Sequence, residues 1–371
     1  METKMSNANH FHGSDLEKIE QQYGIPKETI VSFSANVNPL GLSAWLKEEL
    51  AKRLDVITAY PDRDYTRLRE AIGAYCHTPA SHIVPGNGTT ELISLIIRLH
   101  RPRHAVIQGP AYSEYEREVT AGGGACSYYR LQADEDFIPH TDKLLACLTD
   151  DTDMLILCNP NNPTASLIRA AQMRQILEAC RNRHILVMID ETYMEFAPDC
   201  QTATAVPLTD HFDNLIILRG VSKFFAAPGL RLGYAVTGNA ALAKSMAQSQ
   251  NPWTVSSLAD TAGQLLFADH AQIQKTRSLI ETERERIGQI LSAMPGLRAY
   301  PSYANFILVH ILQDGRTADD FFAMAIRRGM MIRNCASFPF LDNTWLRFCF
   351  MMPADNDRLL DCIRAFLAGD D

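Results

Sequence analysis

The stretch Arg219 to Tyr234, RGVSKFFAAPGLRLGY, decides how this chain is read, because it sets Lys223 just past an apolar strand and Arg231 eight residues further on. The run Leu215 to Leu218 delivers Ser222 and Lys223 to a strand end, and Pro228-Gly229 forces a turn that returns Arg231 toward the same point. An amine and a guanidinium then converge. The amine can bond covalently to an aldehyde, the guanidinium can grip a phosphate through two N–H groups, and the Ser222 hydroxyl can donate a further hydrogen bond. Taken alone, a lysine after a strand could equally be a solvated surface residue.

Three more segments have the same character. Ile185 to Ile189 is an apolar run that ends in Asp190 and continues Glu191-Thr192-Tyr193. In a parallel α/β sheet ligands bind at the carboxyl ends of strands, where Asp190 can pair with a protonated ring nitrogen and Tyr193 can hydrogen-bond a phenolic oxygen. The plainer alternative for Asp190 is a helix cap. Leu155 to Leu157 runs into Cys158-Asn159-Pro160-Asn161-Asn162-Pro163-Thr164, too rich in turn formers to continue a strand, and it presents the Asn162 amide. Gly86-Asn87-Gly88-Thr89-Thr90-Glu91 precedes a helical pattern, so Gly88 and Thr89 place free N–H groups where an anion can sit.

Together these segments resemble the fold-type I pyridoxal-phosphate enzymes, the aspartate aminotransferase superfamily, and within it the branch of histidinol-phosphate aminotransferases and threonine-phosphate decarboxylases. The resemblance covers nearly the whole chain. Phe33-Ser34-Ala35-Asn36-Val37-Asn38-Pro39-Leu40-Gly41, His12-Gly13, the Phe224 to Arg231 linker, Asn251-Pro252-Trp253 and Arg333 to Pro339 all favour the decarboxylase side. It implies pyridoxal 5'-phosphate as cofactor, held by Lys223, with Asp190 on the ring nitrogen, Tyr193 and Asn162 on the ring oxygen, and Gly88, Thr89, Ser222 and Arg231 around the phosphate. Tyr112 resembles the aromatic residue that stacks on the ring, its alternative being helix packing. Tyr60 resembles a tyrosine that reaches the phosphate of a neighbouring subunit, which implies a homodimer with a shared active site; ordinary loop packing is the other reading.

On the substrate side, Arg347 lies in the apolar strand context Trp345-Leu346-Arg347-Phe348, where a guanidinium is costly unless paired. The resemblance gives it the substrate α-carboxylate, with Asn36 assisting, and gives Arg333 and His12 the substrate phosphate. A structural ion pair for either arginine and a solvated terminal histidine are the alternatives. Three positions depart from the family. Gly220 stands where relatives carry a serine or threonine on the cofactor phosphate, so one contact is lost or replaced by water. Ala165 stands where relatives have glycine, and Phe340-Leu341 replaces the glycine-leucine pair expected after Pro339, altering a wall near the substrate.

A chain of 371 residues exceeds one simple core, and 43 acidic against 35 basic residues give a net charge of -8 with no basic tract for nucleic acid. The nine cysteines are dispersed, with no C-x-x-C pair and no metal-ligand spacing, which predicts reduced thiols in a cytoplasm and no metal site. Met1 to Ser14 lacks the apolar core of a signal peptide, and no run reaches membrane-spanning length. Periodicity predicts strands over 104–108, 126–131, 153–158, 185–190, 214–219 and 233–237, alternating with helices over 43–54, 65–77, 89–99, 112–121, 168–182 and 238–249. A long helix or a broken pair spans 255–293, strands fall near 306–310 and 345–350, and a final helix near 355–368. The expected class is α/β: a large domain over 43–259 with a mixed, mostly parallel sheet covered by helices, and a small α+β domain formed by 1–42 and 260–371.

The expected reaction is decarboxylation of an O-phosphorylated amino acid, L-threonine O-3-phosphate with L-serine O-phosphate as competitor, to an amino-alcohol phosphate for the cobamide nucleotide loop. One methyl in a pocket separates those substrates by only about 1–3 kcal/mol. A phosphate-substrate aminotransferase such as histidinol-phosphate aminotransferase is the alternative, marked by a keto-acid requirement. A cofactor-binding regulator is the non-enzyme reading, and it needs a DNA-binding domain for which the N-terminal segment leaves no room.

Overall fold

The computed structural model describes residues 15–370. They fall into two compact units, one of 37–282 with 301–305, the other of the described residues up to 36 with 283–300 and 306–370.

The larger unit is built on seven strands, ordered from one edge as Ile83–Gly86, Gly233–Val236, Leu215–Gly220, Leu186–Asp190, Met154–Cys158, His104–Gly109 and Ala125–Arg130. All run parallel except Gly233–Val236, which is antiparallel to both of its neighbours. Every residue of Met154–Cys158, Leu186–Asp190 and Leu215–Gly220 is buried, as continuous apolar runs covered on both faces must be. Burying each Leu, Ile or Val there contributes about 1.5–3 kcal/mol, and the core continues through Leu92, Ile96 and Val119 of the covering helices.

The mixed, mostly parallel sheet expected of an α/β chain is present. Helices Ala44–Ala51, Ala240–Ser249 and Ser257–Leu266 each start behind a side-chain cap, Ser43, Asn239 and Ser256. The predicted 255–293 helix is a pair, Ser257–Leu266 and His270–Ser292. Ile83–Gly86 was not expected as a strand; it is short, contains Pro85, and takes the edge position that proline tolerates.

Behind the central strands lies a buried ion cluster. Arg219 donates to Glu191 Oε2 from Nε at 3.0 Å and Nη2 at 2.7 Å, and to Thr204 Oγ1 at 2.8 Å. Glu195 stands 3.7 Å from Arg219 Nη1, too far to hydrogen-bond, and both its carboxylate oxygens lack a hydrogen-bond partner beside a cavity of about 220 Å3.

The smaller unit holds an antiparallel sheet ordered Arg333–Asn334, Trp345–Cys349, Phe306–Ile311 and Leu297–Ala299, with helices Ala318–Arg327 and Pro353–Ala368. Thr317 and Asp320 form a reciprocal capping box at the start of the first. Val31–Ser32 pairs in parallel with Met330–Met331, so the N-terminal segment belongs to this unit.

Candidate active site

Four adjacent parallel strands end side by side, with Cys158 opposite Asp190 and Asp190 opposite Leu218. The segments carrying Tyr112, Asn162, Asp190 with Tyr193, and Ser222 with Lys223 therefore leave the sheet at one edge. Hydrogen bonds fasten them. Asn161 Nδ2 donates to the Pro110 carbonyl at 3.0 Å, tying the Asn162 turn to the segment before Tyr112. The Asn38 backbone amide donates to the Lys223 carbonyl at 3.0 Å, and its side-chain amide to the Phe224 carbonyl at 2.9 Å, so the backbone that carries the lysine is clamped. Lys223 and Ser222 are both half-buried.

A phosphate-sized anion has a prepared seat beside them. Helix Gly88–His100 begins at Gly88, which holds φ 79°, and a side chain there would collide with the Arg231 guanidinium. A Cβ on Gly233 would come within 2.7 Å of Gly88 C and Thr89 N. Gly233 is thus required by close approach and Gly88 by its left-handed backbone, and the result is a guanidinium held over the first N–H groups and positive dipole end of a 13-residue helix. Such an arrangement calls for a negative ligand. At Gly220 a Cβ would lie 3.2 Å from the Thr89 methyl, so a serine or threonine there needs that methyl to give by a few tenths of an ångström.

Asp190 is 5% exposed and burial pushes its carboxyl above the usual range, opposed by hydrogen bonds from Thr192 and Tyr115. Its Oδ1 accepts from the Thr192 hydroxyl at 2.5 Å and the Thr192 amide at 2.9 Å, and its Oδ2 from the Tyr115 hydroxyl at 2.7 Å. A buried carboxylate at a strand end without a basic side chain among these donors suits a ligand that brings its own positive charge. Tyr193 is buried at 6% exposure; Tyr112 is half-buried, and burial raises its phenol. The donor set, with an amine, an anion cradle, a buried acid and an aromatic ring, fits a phosphorylated aldehyde on a basic ring. Cys158 adds nothing nucleophilic, since burial drives its thiol far up.

In the smaller unit Arg333 and Arg347 face each other in register. Arg347 is 5% exposed and donates from Nη2 to the Ser34 carbonyl at 2.9 Å, while Cys349 N donates to the Phe33 carbonyl at 2.8 Å. These bonds bring the Phe33 to Asn36 segment to the arginine strand, although more than three hundred residues separate Ser34 from Arg347. Asn36 is 1% exposed with φ 55°. Arg333 Nη2 donates to Ser337 Oγ at 2.8 Å. Tyr60 points outward, 78% exposed and stacked on Trp253 at 4.4 Å. His12 lies outside the described residues.

Two contacts at the site went unread in the sequence, Tyr115 and Thr192 on Asp190. Spacing offers a signal only for Thr192, whose amide lies two residues after Asp190, where an Asp side chain commonly accepts from the backbone. Among the described residues there is no cluster of ligands for a metal, and no helix is long and apolar enough to cross a membrane.

Comparison with known proteins places this geometry. Residues 28–363 match the family described as aminotransferase class I and II. A threonine-phosphate decarboxylase of Salmonella typhimurium is 36% identical over 98% of this chain and 99% of its own length. A histidinol-phosphate aminotransferase of Methanothermobacter thermautotrophicus is 31% identical over 95% of this chain and 92% of its own. Among solved structures, the histidinol-phosphate aminotransferase of Clostridium acetobutylicum superposes with a TM-score of 0.84 at 28% identity, covering 90% of this chain and 98% of that one.

Proposed function

Because this chain belongs to the aminotransferase class I and II family, whose fold-type I members use pyridoxal 5'-phosphate, we propose that it decarboxylates an O-phosphorylated amino acid. L-threonine O-3-phosphate is the leading substrate, L-serine O-phosphate the competitor, and the product an amino-alcohol phosphate for the cobamide nucleotide loop. The observation that carries the reading is the register of Arg333 opposite Arg347, two cations for a substrate with two anionic groups, in a chain that spans a threonine-phosphate decarboxylase end to end.

When bound, the cofactor supplies an aldehyde for Lys223 and a ring that takes up electrons released at the substrate Cα. In this reading Gly88, Thr89, Ser222 and Arg231 hold its phosphate. Tyr112 covers the ring face, Asp190 holds a proton at the ring nitrogen, and Tyr193 and Asn162 donate to the ring oxygen. Arg347 with Asn36 takes the substrate carboxylate, and Arg333, with His12, its phosphate. Fixing both anionic ends decides which Cα bond is set for cleavage, and Lys223 Nζ or a water returns a proton to Cα after carbon dioxide leaves.

We propose a cofactor-binding domain over 43–259, within the unit of 37–282 with 301–305, and place the arginine strands in the smaller unit. A homodimer completes the reading: the stacked Tyr60 and Trp253, with Leu54 and Ile57 at 53% and 60% exposure, leave an apolar face of the kind that a second copy covers. Nine free thiols suit a reducing cytoplasm.

The second reading, an aminotransferase acting on histidinol phosphate, is favoured by the two aminotransferase relatives above. Turnover without any keto acid separates the two, since a transaminase stops after one half-reaction.

A further inference from the structure

A tyrosine buried in an apolar cluster must bring its hydroxyl to a partner or lose a hydrogen bond. Tyr115 is 1% exposed, on helix Glu114–Ala121, packed in the main core cluster with the Tyr112 ring edge-on at 5.7 Å. Its hydroxyl reaches Asp190 Oδ2 at 2.7 Å. A phenylalanine would fill the same space, so packing alone does not account for the hydroxyl. Asp190 Oδ1 is held separately by the hydroxyl and amide of Thr192.

We propose that Tyr115 is a positioning residue for the reaction: its O–H fixes Asp190 Oδ2 and, together with Thr192, favours the carboxylate and holds it aimed at the ring nitrogen. The inference rests on Asp190 being the partner of that nitrogen and adds what holds it in its working state. Burial favours the neutral acid, whereas each donated hydrogen bond favours the carboxylate. Three donors on one buried group oppose that burial, which still holds the carboxyl above its ordinary range. Among the titratable neighbours, Tyr112, Tyr115 and Cys158 are neutral groups that burial raises, while the Glu191 carboxylate, though bound by Arg219, adds its charge to the burial that raises Asp190. Without the Tyr115 hydroxyl the proton shared between ring nitrogen and carboxylate moves toward Asp190. Removing one hydrogen bond to a charged group shifts such an equilibrium on the order of ten- to hundredfold.

The test uses the holoenzyme loaded with cofactor labelled with 15N in the ring, read by NMR of that nitrogen. Asp190→Asn serves as the reference for a ring that has lost its partner. In Tyr115→Phe the resonance should move from the wild-type position toward that of Asp190→Asn, with kcat down roughly ten- to hundredfold and KM little changed. Should Tyr115→Phe fail to fold, Thr192→Val removes a donor from the other oxygen and should move the resonance the same way. A wild-type resonance in both variants, with Asp190→Asn displaced, would overturn the proposal and leave the cofactor assignment standing. A resonance that Asp190→Asn itself fails to move would remove Asp190 as the ring's partner, and Tyr115's role with it.

Discussion

Arg333 and Arg347 stand directly opposite one another on two antiparallel strands, with the ring of Phe338 5.4 Å from one guanidinium and 6.0 Å from the other. Like charges directly opposite across a strand pair repel. Burial, and then the charge of Arg347, hold the Arg333 guanidinium below its ordinary value. A pair of cations kept together at that cost is understandable if an anion joins them. Arg347→Ala should weaken substrate binding by about 2–5 kcal/mol, a rise in KM of roughly thirtyfold or more, while the absorbance of the lysine-bound cofactor stays as in wild type. Loss of the cofactor from this variant would mean that Arg347 supports the wrong ligand in our assignment.

Lys223→Ala should remove both the absorbance of the covalently held cofactor and turnover, the latter by at least about a thousandfold. The Arg231 cradle is untouched, so cofactor should still bind, detectable by equilibrium dialysis. A variant that kept the lysine-bound absorbance would place the covalent bond on another amine.

Strand ends were legible because buried parallel strands are continuous apolar runs, and a run such as Leu215 to Leu218 stops abruptly at polar or turn-forming residues. The two-residue strands Val31–Ser32, Met330–Met331 and Arg333–Asn334 were not, since only their partners define them. Helix Ala318–Arg327 carried a readable start in its Thr317-Asp320 capping box, yet the strand-dominated reading of that region passed over it. At the site, positions were visible and pairings were not. Nothing in the spacing says that Tyr115 ends on Asp190 Oδ2, or that the Thr89 methyl would crowd a side chain at Gly220.

Ala165 illustrates a departure whose consequence needed the backbone. It replaces a glycine of the family, which restricts its turn to conformations that an L-residue tolerates. It holds φ 57°, in the small left-handed region, at 0% exposure, with its amide donating to the Asn161 carbonyl at 2.7 Å. The left-handed region costs an alanine about 1 kcal/mol, nearly offset by the methyl it buries. Ala165→Gly should therefore change stability by less than about 1 kcal/mol, and Ala165→Val should lose more than about 2 kcal/mol in chemical denaturation. A valine variant as stable as wild type would show that the turn is not held in this conformation.

The Glu195 carboxyl is held above its ordinary value by burial, against the pull of Arg219. The folded protein then binds this proton more tightly than the unfolded chain does. Stability from the group is full below the unfolded carboxyl value of about 4.3 and is lost as pH rises through the folded value. Glu195→Gln removes that titration, so its Tm relative to wild type should rise as pH is raised above about 4.3. A pH-independent difference would show that the carboxyl titrates normally.

The most direct measurement is phosphorus NMR of the cofactor-loaded enzyme with L-threonine O-3-phosphate and, separately, L-serine O-phosphate, with no keto acid present. The account predicts steady conversion to an amino-alcohol phosphate over many turnovers, faster with the threonine compound. Unchanged substrate in both samples, with turnover appearing only when histidinol phosphate and 2-oxoglutarate are supplied, would contradict it and make this chain an aminotransferase.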